Sequence, residues 1–553
     1  MNDFNKNNRK RNAFLTPHVF GLMVALYCPS VISGGNLSAN LECTTDVIMS
    51  KAGPICGKTV MTDTGKQSQA FLGIPYAEST EKEARWQPPV PKTSWSDVYR
   101  AFDFGSICPQ NRDPKFDVAQ SEDCLSLNVW APEGIDSQSK KRAVMVFIHG
   151  GSFNSGSGSY PLYDGSYLAA NRDVIIVNFN YRLGALGFLA TDELSGNFGF
   201  MDQQLALGWV KNNISNFGGD PDKVTIFGES AGAMSIGLHV LSAPKSDPLF
   251  RAGLMQSNLI ALPFPRLEQA KDVGNIFKWS LICSDIECLR KTDTQDILTA
   301  QNNFASSLPE IFSSSQFIIP FGPVIDGVLL TEQPINVALS KKRKKPILLG
   351  ANKNEGILFT SSYKTITKYV SNIASLFGLN FEKILKIYPP QHESSNAITM
   401  AKVFDDAFFK CGARNVGLSQ NGLTYLYSYD FSAPIQLWGP AIYKRDGYVL
   451  HGAELPFVFH TPEKINYQFT PTENQVSIKI MDYWTNFAKY LNPNGPGKPP
   501  STLTHWPAFE VPEKKYMVFN TLNSIQSDPN AEACEFWDSI GYNFSNPWMR
   551  AKE

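Results

Sequence analysis

The stretch VTIFGESAGAMS, Val224–Ser235, decides the fold of this chain. Its first residues, VTIF, are β-branched or aromatic, which is typical of a buried strand, and the residues after Ser230 favour a helix. Between them lies the pattern Gly-x-Ser-x-Gly, in which a serine at a sharp strand-to-helix turn projects into a site. Gly228 and Gly232 fit this interpretation, because a side chain at either position would crowd a tight turn. The segment predicts a strand, a nucleophilic serine and a helix.

Apolar runs and helical patterns alternate along most of the chain. Short apolar runs predict strands, and longer segments with apolar residues at spacings of three and four predict helices. The strands are RAVMVFIHG, VIIVNFNYR, KVTIFG, AGLMQS and KPILLG, and the helices are MDQQLALGWVKNNISNF and SIKIMDYWTNFAKYL. This alternation predicts an α/β fold with a mostly parallel central sheet, helices on both faces and long insertions.

Length and charge restrict the class of protein. The chain has 553 residues, 43% of them apolar, and its 50 basic and 51 acidic side chains give a net charge of −1. No overall field therefore favours a nucleic-acid partner. The one basic cluster, KKRKK at 341–345, precedes an apolar run and is interpreted as a solvated turn before a strand. After the N-terminal leader, no segment is long enough for a transmembrane helix.

The N-terminus has the layout of a secretory signal peptide. Basic NKNNRKRN precedes the apolar core Val19–Tyr27, and small residues follow in PSVISGG. Cleavage is expected near residues 33–35, so that a leader at 1–34 precedes a single domain at 35–553. A basic tail before a buried segment is the alternative. The signal peptide predicts a secreted or otherwise exported protein.

Export makes disulfides and glycans possible. Eight of the nine cysteines lie after the leader, and an even number in an exported chain favours disulfides. Glycosylation depends on whether the source organism glycosylates, and the candidate sequons are at Asn36, Asn213 and Asn543.

A second glycine-rich loop precedes the serine motif. VMVFIHGGSF is a predicted strand that ends in His149, Gly150, Gly151 and Ser152, the position and type of an HGGG oxyanion loop. The backbone N–H groups of Gly150, Gly151 and Ser152, together with that of Ala231, are candidates for stabilising a tetrahedral intermediate. An ordinary Gly-Gly turn is the alternative. Serine replaces the third glycine of the loop, which keeps the backbone donor.

Further blocks, in addition to these two motifs, resemble the type-B carboxylesterases, the cholinesterase-like branch of the α/β-hydrolases. They extend from about Phe71 to the C-terminal end and are AFLGIPYAE, SEDCLSLNVWAP, NYRLGALGFL, GNFGFMDQQLALGWVKNNISNFGGDP, GANKNEGILF, HGAELPFVF and YWTNFAKYLNPN. The resemblance implies an α/β-hydrolase fold and hydrolysis of carboxylic esters through an acyl-enzyme. It implies no metal or organic cofactor.

The resemblance also places the partners of Ser230. The acid is expected in GANKNEG, at Glu355, and the base at the start of HGAELPFVF, at His451. The chain order Ser230, Glu355, His451 is the one this fold requires. The resemblance further implies that Glu229, Ser257 and Glu454 make hydrogen bonds that support the site. A purely structural role for each of them is the alternative.

The same resemblance implies three disulfides. The expected pairs are Cys108–Cys124, Cys283–Cys288 and Cys411–Cys534, and the remaining Cys43 and Cys56 are paired with each other without support from the family. Cholinesterases hold a quaternary ammonium by cation–π attraction to a tryptophan in the loop that the first pair closes. This chain has no tryptophan there, which argues against choline esters.

Two functions are consistent with the sequence. The first is a secreted serine hydrolase that acts on small or medium apolar esters, with lipase activity as a variant. The second is a catalytically idle cholinesterase-like adhesion or packing module. Such modules often lose the nucleophile or the base, and this chain keeps Ser230, Glu355 and His451, which favours the enzyme. The expected partner is a small-molecule ester, and the sequence indicates no oligomeric state.

Overall fold

The described part of the chain forms a mixed sheet of eleven strands. The structure is a computed structural model that describes residues 42–111, 118–135, 140–307, 319–340, 345–392, 395–420, 424–435, 437 and 447–542. The strands are β1 (Ile48–Met49), β2 (Pro54–Cys56), β3 (Lys58–Met61), β4 (Gln67–Pro75), β5 (Tyr99–Arg100), β6 (Ser126–Pro132), β7 (Arg142–Ile148), β8 (Ile175–Phe179), β9 (Gly219–Glu229), β10 (Ala252–Gln256), β11 (Ile347–Asn352), β12 (Thr424–Tyr429), β13 (Lys515–Phe519) and β14 (Ser524–Ser527).

The strand order is β14-β13-β12-β11-β10-β9-β7-β8-β6-β4-β3, and β1, β2 and β5 form a separate small sheet. All neighbours from β13 to β8 pair in parallel. The strands β6, β4 and β3 continue the sheet antiparallel, and β14 is antiparallel at the other edge. The predicted α/β class with a mostly parallel sheet is confirmed, and the five predicted strands are β7–β11. The antiparallel edges were not predicted.

The helices cover both faces of the sheet. They are α1 (Ser166–Arg172), α2 (Gly184–Phe188), α3 (Phe198–Asn213), α4 (Ala231–Gly237), α5 (Leu267–Ser280), α6 (Ile286–Lys291), α7 (Thr294–Ser307), α8 (Pro334–Leu339), α9 (Ile366–Phe377), α10 (Phe381–Ile387), α11 (Asn396–Phe404), α12 (Cys411–Gln420), α13 (Leu455–Phe459), α14 (Pro471–Tyr490) and α15 (Ala531–Ile540). Both predicted helices are present, as α3 and α14. None of the described helices is long and apolar enough to cross a bilayer.

Strand β7 shows how the two faces are built. Its side chains alternate between the faces, as a pleated strand requires. Val144, Val146 and Ile148 belong to the core that includes α3 and α4, whereas Met145 and Phe147 belong to the core that includes α1, α13 and α14. Burial on both faces explains why the central strands have continuous apolar runs instead of alternating polar and apolar residues.

The carboxyl ends of β9, β10 and β11 meet at one edge of the sheet. The register pairs Glu229 with Gln256 and Gln256 with Gly350, so the residues that follow these strands are neighbours. In parallel α/β sheets, ligands bind at this edge. The fold therefore brings together the segments that contain Ser230 and Glu355, which are far apart in sequence.

The cysteines that follow the leader form four disulfides. The structure joins Cys43–Cys56, Cys108–Cys124, Cys283–Cys288 and Cys411–Cys534. These are the pairs expected from the resemblance, together with the pair assigned without it.

Several sequence predictions fall outside the described residues, but the sequon at Asn213 lies within them. The leader at 1–34, its cleavage site, the sequons at Asn36 and Asn543, and residues 341–344 of the basic run are not described. Asn213 is buried: its Oδ1 accepts from Lys51 N–H at 2.7 Å and its Nδ2 donates to Trp209 O at 2.9 Å. This sequon is therefore inaccessible in the folded chain.

Candidate active site

Ser230 lies at the turn between β9 and α4. Its backbone has φ 57° and ψ −126°, a strained conformation for a residue that is not glycine. A Cβ at Gly228 would lie 2.5 Å from Ile148 O, and one at Gly232 would lie 1.9 Å from the same oxygen. Both glycines are therefore required, as the sequence indicated. The group that would clash is the last carbonyl of β7, a contact that the motif alone does not reveal.

The predicted oxyanion loop lies directly against the serine. A Cβ at Gly150 would approach Ser230 Cβ to 3.0 Å and Glu229 O to 2.8 Å. Gly151 has φ 108°, Ser152 has φ 55° and Phe153 has φ 59°, so the loop has positive φ at three consecutive residues. The structure thus brings this loop to the N-terminus of α4, where backbone N–H groups and the positive end of the helix dipole favour an oxyanion.

Gln110 supports this loop and was missed by the sequence analysis. Its Nε2 donates to Gly156 O at 2.9 Å, and its Oε1 accepts from Gly156 N–H at 2.8 Å. The same Nε2 also donates to Cys108 O at 3.1 Å, which links the oxyanion loop to the Cys108–Cys124 disulfide. The only sequence signal for a role of Gln110 was its position in GSICPQ, two residues after Cys108.

Glu355 and His451 form a buried hydrogen-bonded pair. Glu355 follows β11, and His451 precedes α13; His451 Nδ1 lies 2.6 Å from Glu355 Oε2. The other carboxylate oxygen, Oε1, accepts from Ser257 Oγ at 2.6 Å and from Asn352 N–H at 2.5 Å. Because two donors occupy Oε1, the glutamate presents Oε2 to the imidazole in a fixed orientation.

Glu454 is part of the same polar network. Its Oε1 accepts from Gln256 Nε2 at 2.8 Å, and its Oε2 accepts from Asn352 Nδ2 at 2.6 Å. Trp484 Nε1 donates to Gln256 Oε1 at 3.0 Å, which orients that amide. Asn352 therefore connects Glu454 to Glu355. Gln256, Asn352 and Trp484 lie in segments that the sequence analysis quoted, but it assigned them no role.

Glu229 faces the other ring nitrogen of His451. Its Oε1 lies 3.0 Å from His451 Nε2. Burial raises the pKa of Glu229 to about 8, against the charge of His451. Burial alone would lower the pKa of His451, but Glu229 and Glu355 outweigh it and raise this pKa to about 9. The two groups are coupled, because protonation of Glu229 removes a charge that raises the pKa of the imidazole.

Aromatic rings enclose the imidazole. Phe359 and Phe409 present edge-to-face contacts to His451, with ring centroids 5.1 Å and 5.5 Å away. A surrounding of this kind lowers the local dielectric and strengthens each electrostatic interaction of the pair.

Among the described residues, no group of three or more His, Cys, Asp or Glu side chains is arranged to hold a metal ion. The arrangement brings together a strained serine, a buried histidine–glutamate pair and a glycine-rich loop.

The chain is similar to known proteins over most of its length. The Carboxylesterase family model matches residues 44–537. The chain is 36% identical to Cholinesterase of Mus musculus over 540 residues, covering 89% of this chain and 86% of that protein. It is 35% identical to Crystal protein of Dictyostelium discoideum over 502 residues, covering 87% and 89%. Among solved structures, a thermophilic PNB esterase superposes with a TM-score of 0.77 at 31% identity, covering 89% of this chain and 99% of that one.

Proposed function

The chain belongs to the carboxylesterase family, has the α/β-hydrolase fold and is a carboxylic-ester hydrolase, and on that premise we propose that it is a secreted enzyme with Ser230 as nucleophile, His451 as base and Glu355 as acid. The observation that supports this assignment is the convergence of a strained serine and a buried 2.6 Å histidine–glutamate pair at one sheet edge. The ester is a small molecule, and the triad requires no cofactor.

The proposed reaction proceeds by acyl transfer. Ser230 Oγ attacks the ester carbonyl while His451 Nε2 takes its proton, and Glu355 stabilises the imidazolium through Nδ1–H. The backbone N–H groups of Gly150–Ser152 and Ala231 stabilise the oxyanion, each such donor contributing about a hundred- to a thousandfold in rate. His451 then protonates the departing alcohol, and water activated by the same imidazole releases the acid.

Glu229, Ser257 and Glu454 support this reaction in different ways. Ser257 fixes the carboxylate of Glu355 by donating to Oε1 at 2.6 Å. Glu454 orients Asn352, whose backbone N–H donates to the same oxygen. Glu229 acts through its 3.0 Å contact with His451 Nε2, where a negative charge stabilises the imidazolium that forms during attack.

Hydrolysis of a p-nitrophenyl ester series, acetate to palmitate, tests the proposal. The parent chain should turn over the short and medium esters, and Ser230→Ala should abolish turnover while leaving the melting temperature close to that of the parent. The ester length with the highest kcat/KM gives the size of the acyl site. Because Crystal protein is a relative, a folded parent without turnover on any ester would favour the idle packing module and contradict the assignment.

Neutral esters are the proposed substrate class. The loop between Cys108 and Cys124 has no tryptophan, the residue that cholinesterases use there to hold a quaternary ammonium. We expect a higher kcat/KM for p-nitrophenyl butyrate than for butyrylcholine. A clear preference for the choline ester would show that another aromatic surface replaces the tryptophan.

Export is supported by the four disulfides, since such bonds persist in oxidising compartments. The exported protein is expected to begin near residue 35 and to contain no free thiol among the disulfide cysteines. N-terminal sequencing and thiol titration of secreted material measure both. A mature protein that retains residues 1–34 would contradict the signal peptide.

A further inference from the structure

The turn that carries Glu355 depends on its neighbours for a defined position. Glu355 begins a turn of four residues that ends at Leu358 and has 3-10 geometry. Such turns have poorer hydrogen bonds than an α-helix and occur in short pieces. The turn also packs tightly on α11, because a Cβ at Gly356 would lie 2.3 Å from Ala401 O. The position of the acid is therefore set by contacts from outside the turn.

Two side chains hold the backbone on both sides of Glu355. They come from the single π-helical turn between α11 and α12, which begins at Asp405 and ends at Lys410. Asp405 Oδ1 accepts from Gly356 N–H at 2.7 Å. Lys410 Nζ donates to Lys353 O at 3.0 Å and lies 3.6 Å from Asp405 Oδ2. We call Asp405 and Lys410 the clasp.

The same π-helical turn reaches the base. Phe409 lies edge-on to His451 at 5.5 Å and faces Phe359 at 6.2 Å, so it contributes to the aromatic enclosure of the imidazole. The residue after the turn, Cys411, is bonded to Cys534 of α15. One anchored turn thus contacts the backbone beside the acid and the ring of the base. Turns of this geometry occur frequently at functional sites.

We propose that Asp405 and Lys410 are positioning residues of the hydrolysis, which hold Glu355 where its Oε2 orients the imidazole of His451. Neither side chain touches the substrate, so the clasp acts through the placement of the acid. The inference rests on the proposed function to the extent that Glu355 and His451 form the acid–base pair. Two facts separate the clasp from general packing. It bonds the backbone of Lys353 and Gly356, and the two side chains that do so lie 3.6 Å from each other.

The chain offers a matched control in the adjacent residue. Asp406 is as buried as Asp405, at 4% and 5% exposure, but its Oδ2 accepts from Tyr388 OH at 2.9 Å. Asp405→Ala removes the acceptor of Gly356 N–H, and Asp405→Asn keeps an oxygen there. Asp406→Ala removes a buried carboxylate from the same turn without touching the backbone beside Glu355.

Steady-state kinetics on p-nitrophenyl butyrate should separate these variants. Asp405→Ala should lose about tenfold or more in kcat with KM within twofold, since a small displacement of a catalytic group is costly while ester binding is unaffected. Asp405→Asn should recover most of that loss, and Asp406→Ala should keep the parent kcat even where its melting temperature falls. Equal kcat for Asp405→Ala and the parent, or equal losses in Asp405→Ala and Asp406→Ala, would overturn the proposal.

A spectroscopic readout makes the test independent of ester turnover. The Nδ1–H of His451 in a 2.6 Å bond to a carboxylate should give a low-field proton resonance in the parent. This signal should broaden or vanish in Asp405→Ala and persist in Asp406→Ala. An unchanged signal in Asp405→Ala would overturn the clasp even if the parent proved inactive, so its failure is distinguishable from failure of the proposed function. If Asp405→Ala does not fold, Lys410→Met serves as the second variant, with Lys410→Arg as its conservative partner and the same outcomes.

Discussion

Glu355→Gln is the substitution whose consequence follows most directly from the geometry. Two donors, Ser257 Oγ and Asn352 N–H, already point at Oε1. The amide oxygen of a glutamine must occupy that place, because an amide NH2 there would face two donors. The NH2 group is thereby forced to the position of Oε2, 2.6 Å from His451 Nδ1 in the parent. The variant thus presents a donor to the nitrogen that normally donates.

The imidazole must then change tautomer. Nδ1 accepts from the amide and the ring proton moves to Nε2, where the carboxylate of Glu229, 3.0 Å away, is available to accept it. With its proton on Nε2, His451 cannot take the proton of Ser230. Substitution of the triad acid by its amide costs about ten-thousandfold in kcat when the tautomer is wrong. That loss corresponds to about 5 kcal/mol of transition-state stabilisation.

The assay is kcat and KM on p-nitrophenyl butyrate from pH 6 to 9, with circular dichroism to show that the variant is folded. Glu454→Gln is the matched control, because it places an amide in the same buried network without facing the imidazole. It should lose far less kcat than Glu355→Gln. A Glu355→Gln enzyme within tenfold of the parent would refute the assignment of the acid.

Three further outcomes are expected. Glu229→Gln should move the acid limb of the kcat/KM profile to lower pH, because the charge of Glu229 raises the pKa of His451 and an amide does not. A pH–rate profile with its acid limb at the parent position would contradict this coupling. Gly150→Ala should lose about a hundredfold in kcat, since its Cβ would lie 3.0 Å from that of Ser230, and steady-state kinetics showing parent activity would contradict the close approach. Removing Cys411–Cys534, whose cysteines have a sequence separation of 123, should lower the free energy of unfolding by about 5 kcal/mol. Removing Cys283–Cys288, with a separation of 5, should lower it by about 2 kcal/mol, and urea denaturation that reverses this order would contradict the chain-entropy model.

The sequence was most informative where the chemistry depends on contiguous residues. The strand, Ser230 and α4 follow one another in the chain, so a single motif predicted the strand–turn–helix geometry around Ser230. The central strands were predicted because burial on both faces leaves continuous apolar runs. His451 and Glu355 required the resemblance to a family, since nothing local separates them from other histidines and glutamates.

The groups that the sequence did not indicate act across long sequence separations. Asp405 and Gly356 are 49 residues apart in sequence, and Gln110 and Gly156 are 46 apart, so only the folded chain brings each pair together. The antiparallel edge strands were missed for a similar reason, because strand direction depends on the connections rather than on composition. In the sequence, a polar residue that makes a long-range contact of this kind looks the same as a polar residue on the surface.

Labelling with a fluorophosphonate, followed by peptide mass spectrometry, tests the central claim most directly. The reagent forms a covalent bond only with an activated serine, so it reports on the nucleophile without assuming a substrate. We predict one label per chain, on Ser230, and a large loss of labelling rate in His451→Ala. A folded parent that takes up no label, or takes it up at another serine, would contradict the assignment of Ser230.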